Sequence, residues 1–466
     1  MLDDKAKTDP AWAWAAYSPS GEAPWDARRA GHLLRRAGFG FTLAELDAAV
    51  KDGPARTVAR LMAGGAGQEA FDKEMASLAD VVARTQDAAA LRAWGLARML
   101  HSPHPLREKM SLFWHNHFAT SNAKVQDTRL MLGQFALIHK HALGDFAALL
   151  RGMSSDPAML VWLDGKGSRK GNPNENYARE LMELFSLGLG PYTEKDIREA
   201  ARAFSGWDVI DRQPRFFAAN FDDGEKTVMG KSGKWKPDDI VRICLDRPEC
   251  ALFICGKLWR WLVSEEAAPT KELLAPLAES FRKSKHDFGA LVKTVLSSNV
   301  FFASYRQRIK SPIDFALGTV RALEGRIGTT ALAGELEKLG QNVFNPPSVK
   351  GWDGGPAWLN GQTLLYRQNL ALAFCSTEDA RFGARLDPAA LARRHGAKSG
   401  EEQVDLFLKL FLQGDVPAEQ RRKLLDFTKK ARTARHPVYW TAQDAADQRV
   451  RSLCHLVLTL PEYQLD

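Results

Sequence analysis

The sequence has few cysteines and no long apolar run. These two absences argue against a disulfide-stabilised protein and against a membrane-spanning one. Its five cysteines among 466 residues form no C-x-x-C pair, and their spacing suits neither a zinc ribbon nor a haem attachment. A disulfide framework is therefore not expected, which agrees with a reducing compartment. Charged residues interrupt every apolar stretch before it reaches the length of a bilayer span. We therefore expect a soluble protein without a membrane partner.

A secretory signal is also missing from the sequence as written. Residues 1–19 contain acids at positions 3 and 4 and no long apolar core, whereas a signal peptide has a basic start and an apolar centre. We expect a cytoplasmic protein on this basis, or an exported one if a leader was removed before residue 1.

Several familiar catalytic and binding motifs do not occur. The chain has no glycine-rich phosphate loop, no G-x-S-x-G elbow, no H-E-x-x-H pair and no dinucleotide fingerprint followed by a suitable acid. Its net charge of +8 is spread over basic doublets that lie far apart. A nucleic-acid binder usually concentrates its positive charge on one face, so no nucleic-acid partner is expected.

Helix-period apolar patterns are what the sequence has in abundance, while clean strand alternation is scarce. They predict a mainly α fold, a large multi-helical body with a small β-hairpin-like excursion at about residues 209–237, where glycine, proline and aromatics cluster. We expect a helical core domain over residues 26–375. A C-terminal helical extension, residues 376–466, should pack on that core.

The segment LREKMSLFWHNHFATSN contains the first candidate site residues. Four of its residues share one face of a predicted helix: Leu106, Met110, Phe113 and His117. His117 should therefore point inward, whereas His115 lies about 200° around the helix. Both imidazoles could bind one metal ion only if the helix broke at Asn116. The alternative for His117 is a core histidine hydrogen-bonded to a buried partner.

The segment KGNPNENYARELMELFSLGLG predicts a second helix, capped by Asn172 and followed by glycine. Glu180 and Glu183 fall on the flank of its apolar face. Either carboxylate could meet His117 across a helix pair and form an acid–base or metal site. Arg179 is a candidate contact for an anion. The alternative is an ordinary salt bridge between helices.

A later loop, SVKGWDGGPAWLNG, combines tryptophans with glycines. Trp352, Trp358 and Asn360 are predicted to bind a cofactor or ligand, because paired tryptophans suit a sugar or a planar group. The alternative is that the two large aromatics fasten an irregular loop to the body of the protein.

Taken together, the segments HLLRRAGFG, LREKMSLFWHNHFATS, GNPNENYARELMELFSLGLGPYTEKDIREAARAFSGW, DDGEKTVMG and FNPPSVKGWDGGPAWLN resemble one bacterial family of unknown function, number 1800. The resemblance runs from about His32 to the Leu-Pro-Glu-Tyr tail. The matched motif residues are His115, Asn116, His117, Asn174, Glu175, Asn176, Arg179, Glu180, Glu183, Asp222, Lys226, Trp352 and Asn360.

Members of the family are often exported, and the chain departs from them in having no visible leader. The resemblance also implies that a sulfatase-like protein, encoded by a neighbouring gene, is a partner. It implies no particular reaction or substrate. The chain departs from the family at Phe221, where similar members often have histidine before the Asp-x-Gly motif. A metal site that needs a histidine at that position is thereby weakened.

Two functional hypotheses follow from the sequence. The first is an enzyme with a polar site inside a helical bundle, in which His117 acts as ligand or general base, with Glu180 or Glu183 as its partner. A divalent metal is the one cofactor considered, with His115, His117 and Glu180 as ligands, and hydrolysis is the favoured reaction. The second is a non-catalytic helical module that binds or matures another protein.

Overall fold

The computed structural model describes residues 8–429 and 441–466. The remaining parts of the N-terminal segment and of the predicted C-terminal extension, residues 1–7 and 430–440, lie outside the described residues. Within the described ranges the chain forms 24 α-helices and two small antiparallel sheets. The predicted mainly α fold with a small β excursion is confirmed.

The first half of the chain contributes twelve helices and one π-helix. They are α1 (Pro10–Trp14), α2 (Ala27–Arg36), α3 (Leu43–Ala63), α4 (Gln68–Thr85), α5 (Ala88–His101), α6 (Pro105–His117), α7 (Asn122–Val125), α8 (Thr128–His141), α9 (Phe146–Ser154), α10 (Pro157–Trp162), α11 (Asn176–Glu180), the π-helix Leu181–Ser186 and α12 (Glu194–Ala203).

Two β-hairpins follow and account for the predicted excursion. Strands β1 (Trp207–Ile210) and β2 (Gln213–Phe216) pair with Trp207 opposite Phe216. Strands β3 (Lys226–Val228) and β4 (Lys231–Gly233) pair with Lys226 opposite Gly233. Each hairpin turns on two residues with positive φ, Asp211-Arg212 and Met229-Gly230, as tight two-residue hairpin turns require.

The second half is again helical. Its helices are α13 (Pro237–Asp246), α14 (Pro248–Leu262), α15 (Lys271–Lys283), α16 (Phe288–Leu296), α17 (Asn299–Ala303), α18 (Pro312–Ala322), α19 (Thr329–Lys338), α20 (Gly361–Cys375), α21 (Pro388–Arg394), α22 (Gly400–Leu412), α23 (Ala418–Lys429) and α24 (Ala442–Leu458). Short 3-10 turns occur at Ala218–Asn220, Gly355–Trp358, Gly383–Arg385 and Pro461–Gln464.

The buried apolar side chains form two clusters, and α6 contributes to both. Leu106, Met110 and Phe113 pack in one cluster with helices α2, α3, α9 and α13–α17, while Leu112 packs in the other with α5, α8 and α18–α24. The inward face of α6 therefore follows the predicted spacing. Because α6 lies between the two clusters, its C-terminal end, with His115, Asn116 and His117, lies at their junction.

The C-terminal helices pack against α20, since α24 contacts α20, α21 and α22 and its buried side chains belong to the second cluster. A boundary between a core domain and an extension at residues 375 and 376 stays a prediction.

One predicted helix differs in the structure. The helix expected from Asn172 begins at Asn176 instead, because the Asn174 side chain accepts a hydrogen bond of 2.8 Å from the backbone of Asn176 and closes a turn there. The helix then widens into the π-helix Leu181–Ser186, in which the Ser186 hydroxyl donates to the Leu181 carbonyl at 2.5 Å. π-Turns of this kind are rare and frequently mark functional sites.

Candidate functional site

The three consecutive residues that end α6 each hold a different segment of the chain. His115 Nε2 accepts a hydrogen bond of 3.1 Å from the backbone N–H of Phe344. Asn116 Oδ1 accepts from the backbone N–H of Trp352 at 2.7 Å. His117 Nε2 donates to the Phe185 carbonyl, in the π-helix, at 3.1 Å. The two imidazoles thus have separate structural partners.

The shared-metal hypothesis required a break in the helix at Asn116. Helix α6 is continuous through His117, and the lone pair of His115 Nε2 is already occupied. Among the residues that the structure describes, no three His, Cys, Asp or Glu side chains are arranged to hold a metal ion. His115, His117 and Glu180 therefore do not converge on one point.

The hydrogen bond to Phe185 fixes the protonation of His117. A carbonyl oxygen can only accept, so Nε2 carries the proton and Nδ1 keeps a lone pair. Nδ1 is buried and has no hydrogen-bond partner within the described ranges. Burial and, secondly, the charge of Lys257 hold the pKa of His117 well below its usual value. The side chain is therefore a neutral imidazole with one unengaged basic nitrogen.

His117 and Asn116 line a cleft of about 520 Å³ between α6, α14 and the loop that follows α19. A volume of this size is typical of sites for small organic ligands. The remaining walls are Phe113, Leu184, Phe253, Gly256, Lys257, Arg260, Trp261, Glu265, Arg308, Ser311, Gln341, Lys350, Trp352, Asp353, Gly354 and Trp358.

One wall of the cleft presents two cations from α14. Lys257 is half-buried, with Nζ 5.3 Å from the centre of the Phe253 ring. No carboxylate in the described part of the chain pairs with Lys257. Arg260 stands three residues further on and donates to the Asp353 backbone carbonyl at 2.7 Å. Burial and, secondly, Arg260 lower the pKa of Lys257.

The charges of a second part of the wall are paired with each other. Arg308 Nη2 lies 3.3 Å from Glu265 Oε1, and both side chains are only 4% exposed. Arg308 also donates to the Trp261 carbonyl at 2.5 Å. The same carboxylate accepts from the backbone N–H groups of Gly355 at 3.0 Å and Ile309 at 3.3 Å. Glu265 therefore fastens the loop that closes the cleft.

The loop of tryptophans is fastened to the body of the protein, and its binding of a ligand stays a prediction. Trp352 and Trp358 are buried, and both line the cleft. Asn116 holds the loop through Trp352, and Gly351 has a φ of +81° at a point where a Cβ would lie 2.2 Å from Asn116 Oδ1. Asn360 does not line the cleft. Its side chain caps α20 by accepting from the Thr363 N–H at 2.9 Å.

The acidic residues of the second motif lie beside the cleft rather than on His117. Neither Glu180 nor Glu183 is hydrogen-bonded to His117 among the described residues, because the π-helix brings the Phe185 carbonyl to that position. Burial and, secondly, the charge of Glu183 raise the pKa of Glu180. Glu180 also feels the charge of Lys350, which lines the cleft.

Arg179 is engaged elsewhere. Its guanidinium donates to both carboxylate oxygens of Glu194 at 2.7 and 2.8 Å, and to Glu175 at 3.3 Å. It therefore belongs to a surface ion-pair group and not to the walls of the cleft.

Asp222 and Lys226 stabilise the second hairpin away from the cleft. Arg202 donates to both oxygens of the Asp222 carboxylate at 2.9 and 3.1 Å. Lys226 Nζ is buried and donates to the backbone carbonyls of Asp222 and Gly224 at 2.6 and 2.9 Å. Phe221, the departure from the family pattern, packs with its ring centre 5.0 Å from this Nζ.

Sequence reasoning missed Lys257, Arg260, Arg308 and Glu265. A signal for the first two was present in the segment FICGKLWRW, where two cations one turn apart stand among aromatics. No local pattern marked Glu265 or Arg308, because their roles depend on segments about 40 to 90 residues away in the chain.

The fold and the cleft define a mainly α protein with a basic, tryptophan-lined cleft at the junction of two apolar clusters. The family model described as protein of unknown function (DUF1800) matches residues 32–465, and the chain belongs to this family. No curated protein and no solved structure matches the chain. Within the described residues no helix combines the length and apolar character that a membrane crossing demands.

Proposed function

We propose that this protein is a hydrolase whose active site is the cleft at the end of α6. The observation that carries the proposal is His117, a neutral imidazole in the wall of a cleft large enough for a small ligand. Its Nε2–H is held by the Phe185 carbonyl, and its Nδ1 has no partner in the described part of the protein. A general base needs this combination of a fixed orientation and an unoccupied lone pair.

In this proposal a water molecule must first reach the buried Nδ1 of His117; it then gives up a proton to Nδ1 while its oxygen attacks the electrophilic centre of the substrate. The leaving group receives its proton from Glu180. The environments of the two groups favour this division, since burial lowers the pKa of His117 and raises that of Glu180. Opposite shifts of this kind assign a base and an acid at the same pH.

The test uses the full chain and a panel of chromogenic esters, phosphates, sulfates and glycosides. The variant His117→Gln keeps an amide N–H that can donate to the Phe185 carbonyl but has no basic nitrogen. His101→Gln, at an exposed position, is the matched control. We expect turnover by the native protein, a loss of about a hundredfold or more in kcat for His117→Gln and no change for His101→Gln.

Equal turnover by the native protein and His117→Gln, or no turnover on any member of the panel, would contradict the proposal. Circular dichroism of both variants shows whether a loss of turnover comes from the missing base or from unfolding.

A second candidate is a non-catalytic module that binds another protein. It is favoured by an apolar strip on α20, where the side chains of Leu364, Leu365 and Leu372 are 39%, 59% and 51% exposed. Exposed apolar patches often mark protein interfaces. Absence of turnover by the native protein on every member of the panel would support this candidate over the first.

A further inference from the structure

The cationic wall of the cleft carries an electrostatic cost that the protein itself does not offset. Lys257 and Arg260 stand three residues apart on α14, a spacing at which like charges destabilise a helix. Lys257 is half-buried, and its charge is therefore partly removed from water. Within the described ranges neither residue has a carboxylate partner, since Arg260 contacts only the backbone of Asp353.

The cleft as a whole has a surplus of positive charge and of hydrogen-bond donors. Its walls include four cations, Lys257, Arg260, Arg308 and Lys350, against two carboxylates, Glu265 and Asp353.

Two buried donors in the walls, Arg308 Nε and Trp261 Nε1, have no acceptor among the described residues. Buried donors are normally satisfied, and these two stay without an acceptor unless a ligand in the cleft reaches them. A ligand with a negatively charged group of acceptor oxygens would meet both the charge surplus and the donor surplus.

The apolar part of the cleft limits the rest of the ligand. Trp352 and Trp358 are buried in the loop opposite α14, and Trp261 and Phe253 lie on α14 itself. Flat aromatic faces pack well against planar or ring-shaped groups. The cleft thus combines a cationic patch with an aromatic lining.

We propose that the cleft binds a small ring-containing oxyanion, whose charged group contacts Lys257 and Arg260 and whose ring packs against Trp352 and Trp358. Carboxylate, phosphate and sulfate groups share the required chemistry. The proposal rests on the proposed function in placing the substrate in this cleft, and it adds the charge and shape of that substrate.

The test is isothermal titration calorimetry with four single-ring probes, benzoate, phenyl phosphate, phenyl sulfate and benzylamine. The variant Lys257→Met keeps most of the length of the side chain without its charge. Lys293→Met, at an exposed lysine of α16 with no ion pair in the described structure, is the matched control.

We expect at least one of the three anions to bind the native protein. Binding should weaken about tenfold or more in Lys257→Met, equivalent to about 1.4 kcal/mol, and stay unchanged in Lys293→Met. Benzylamine, with a similar ring but a positive charge, should not bind. Which anion binds most tightly identifies the oxyanion. Lys257→Gln repeats the measurement if Lys257→Met fails to fold.

The proposal is overturned if none of the anions binds at millimolar concentrations, if the Lys257 variants bind them as well as the native protein does, or if benzylamine binds equally. His117→Gln separates this result from the proposed function. A variant that binds the anion normally but has lost turnover supports both ideas. Normal binding with normal turnover contradicts the role of His117 as base and leaves the anion site standing.

Discussion

Two groups of charged side chains lie near the cleft, one largely buried and one half-buried or exposed, and they differ in whether each charge has an opposite charge beside it. In the inner group Lys109 is ion-paired with Asp314, and Asp466 lies between Arg35 and Arg36. On the cleft wall of α14 no carboxylate within the described ranges meets the two cations. Removing one member of a buried ion pair leaves the other charge uncompensated and destabilises the fold, whereas a cation without such a partner is available for a ligand.

Lys310, in the inner group, has no ion-pair partner in the described part of the chain, but its amine lies over an aromatic ring. Its Nζ lies 3.4 Å from the centre of the Tyr463 ring. Burial first, with Arg35 as a secondary cause, holds the pKa of Lys310 well below its usual value, while Asp466 and Asp314 act in the opposite direction. The inner group therefore needs no outside anion.

The largest effect should come from breaking the inner group. Asp314→Asn keeps the shape of the side chain but leaves Lys109, which is fully buried, without its ion-pair partner. We expect the free energy of unfolding to fall by about 3–5 kcal/mol, measured by urea denaturation. The double variant Lys109→Met/Asp314→Asn removes the stranded charge and should recover part of this loss.

A loss below about 1 kcal/mol in Asp314→Asn would contradict the contrast between the two groups, because the Lys109–Asp314 pair would then contribute no more than a surface ion pair. The cations of the two groups would then be equally tolerant of losing a partner.

The next effect is a loss of stability in weak acid that comes from buried histidines. Burial lowers the pKa of His115 to about 4, and it also lowers the pKa of His32 and His117. In the unfolded chain these groups titrate near pH 6.5. Each contribution is therefore complete above about pH 6.5 and is lost as the pH falls toward the folded pKa, with a limiting slope of about 1.4 kcal/mol per pH unit for each histidine.

The inner group responds in a different pH window. The charges of Arg36 and Arg35 hold the pKa of Asp466 below its usual value against the effect of burial. Its contribution is therefore present above about pH 4 and is lost only in stronger acid. Urea unfolding of the native protein and His115→Gln at about pH 7 and about pH 5 distinguishes the two windows, since the variant should show a smaller change. An equal pH dependence in both proteins would contradict this assignment.

The smallest effect should have the opposite sign. Lys257→Met removes one of two like charges on α14. Because Lys257 has no carboxylate partner in the described ranges, the substitution leaves no anion without its counter-charge. We expect the free energy of unfolding to stay constant or to rise by up to about 1 kcal/mol, measured by urea denaturation beside Lys293→Met. A loss of more than about 1 kcal/mol would show that Lys257 has a structural role like that of Lys109.

The sequence predicts the framework of the site better than its chemistry. Apolar spacing on α6 predicted that His117 faces inward and that His115 faces away, because a regular helix fixes the angle between neighbouring side chains. The sequence also indicated that Trp352 and Trp358 can fasten an irregular loop to the body of the protein. Both predictions depend on local geometry alone.

The partner of His117 could not be predicted in the same way. A regular helix through residues 176–186 was expected to offer Glu180 or Glu183, but the π-helix offers the Phe185 carbonyl. π-Turns have no sequence period of their own. The sequence also does not show that Lys257 lacks a carboxylate partner. Periodicity assigns a residue to a face of a helix, but it does not identify the charged residues that pack against that face.

The triple attachment at the end of α6 has a consequence for how the cleft is assembled. His115, Asn116 and His117 reach segments that lie 68 to 236 residues later in the chain. Contacts of such high sequence separation form after local helices, because closing long loops costs entropy. The cleft is therefore completed only once the chain through residue 358 has docked. A fragment that ends earlier lacks part of the wall of the cleft, and the cleft cannot be grafted as one continuous peptide.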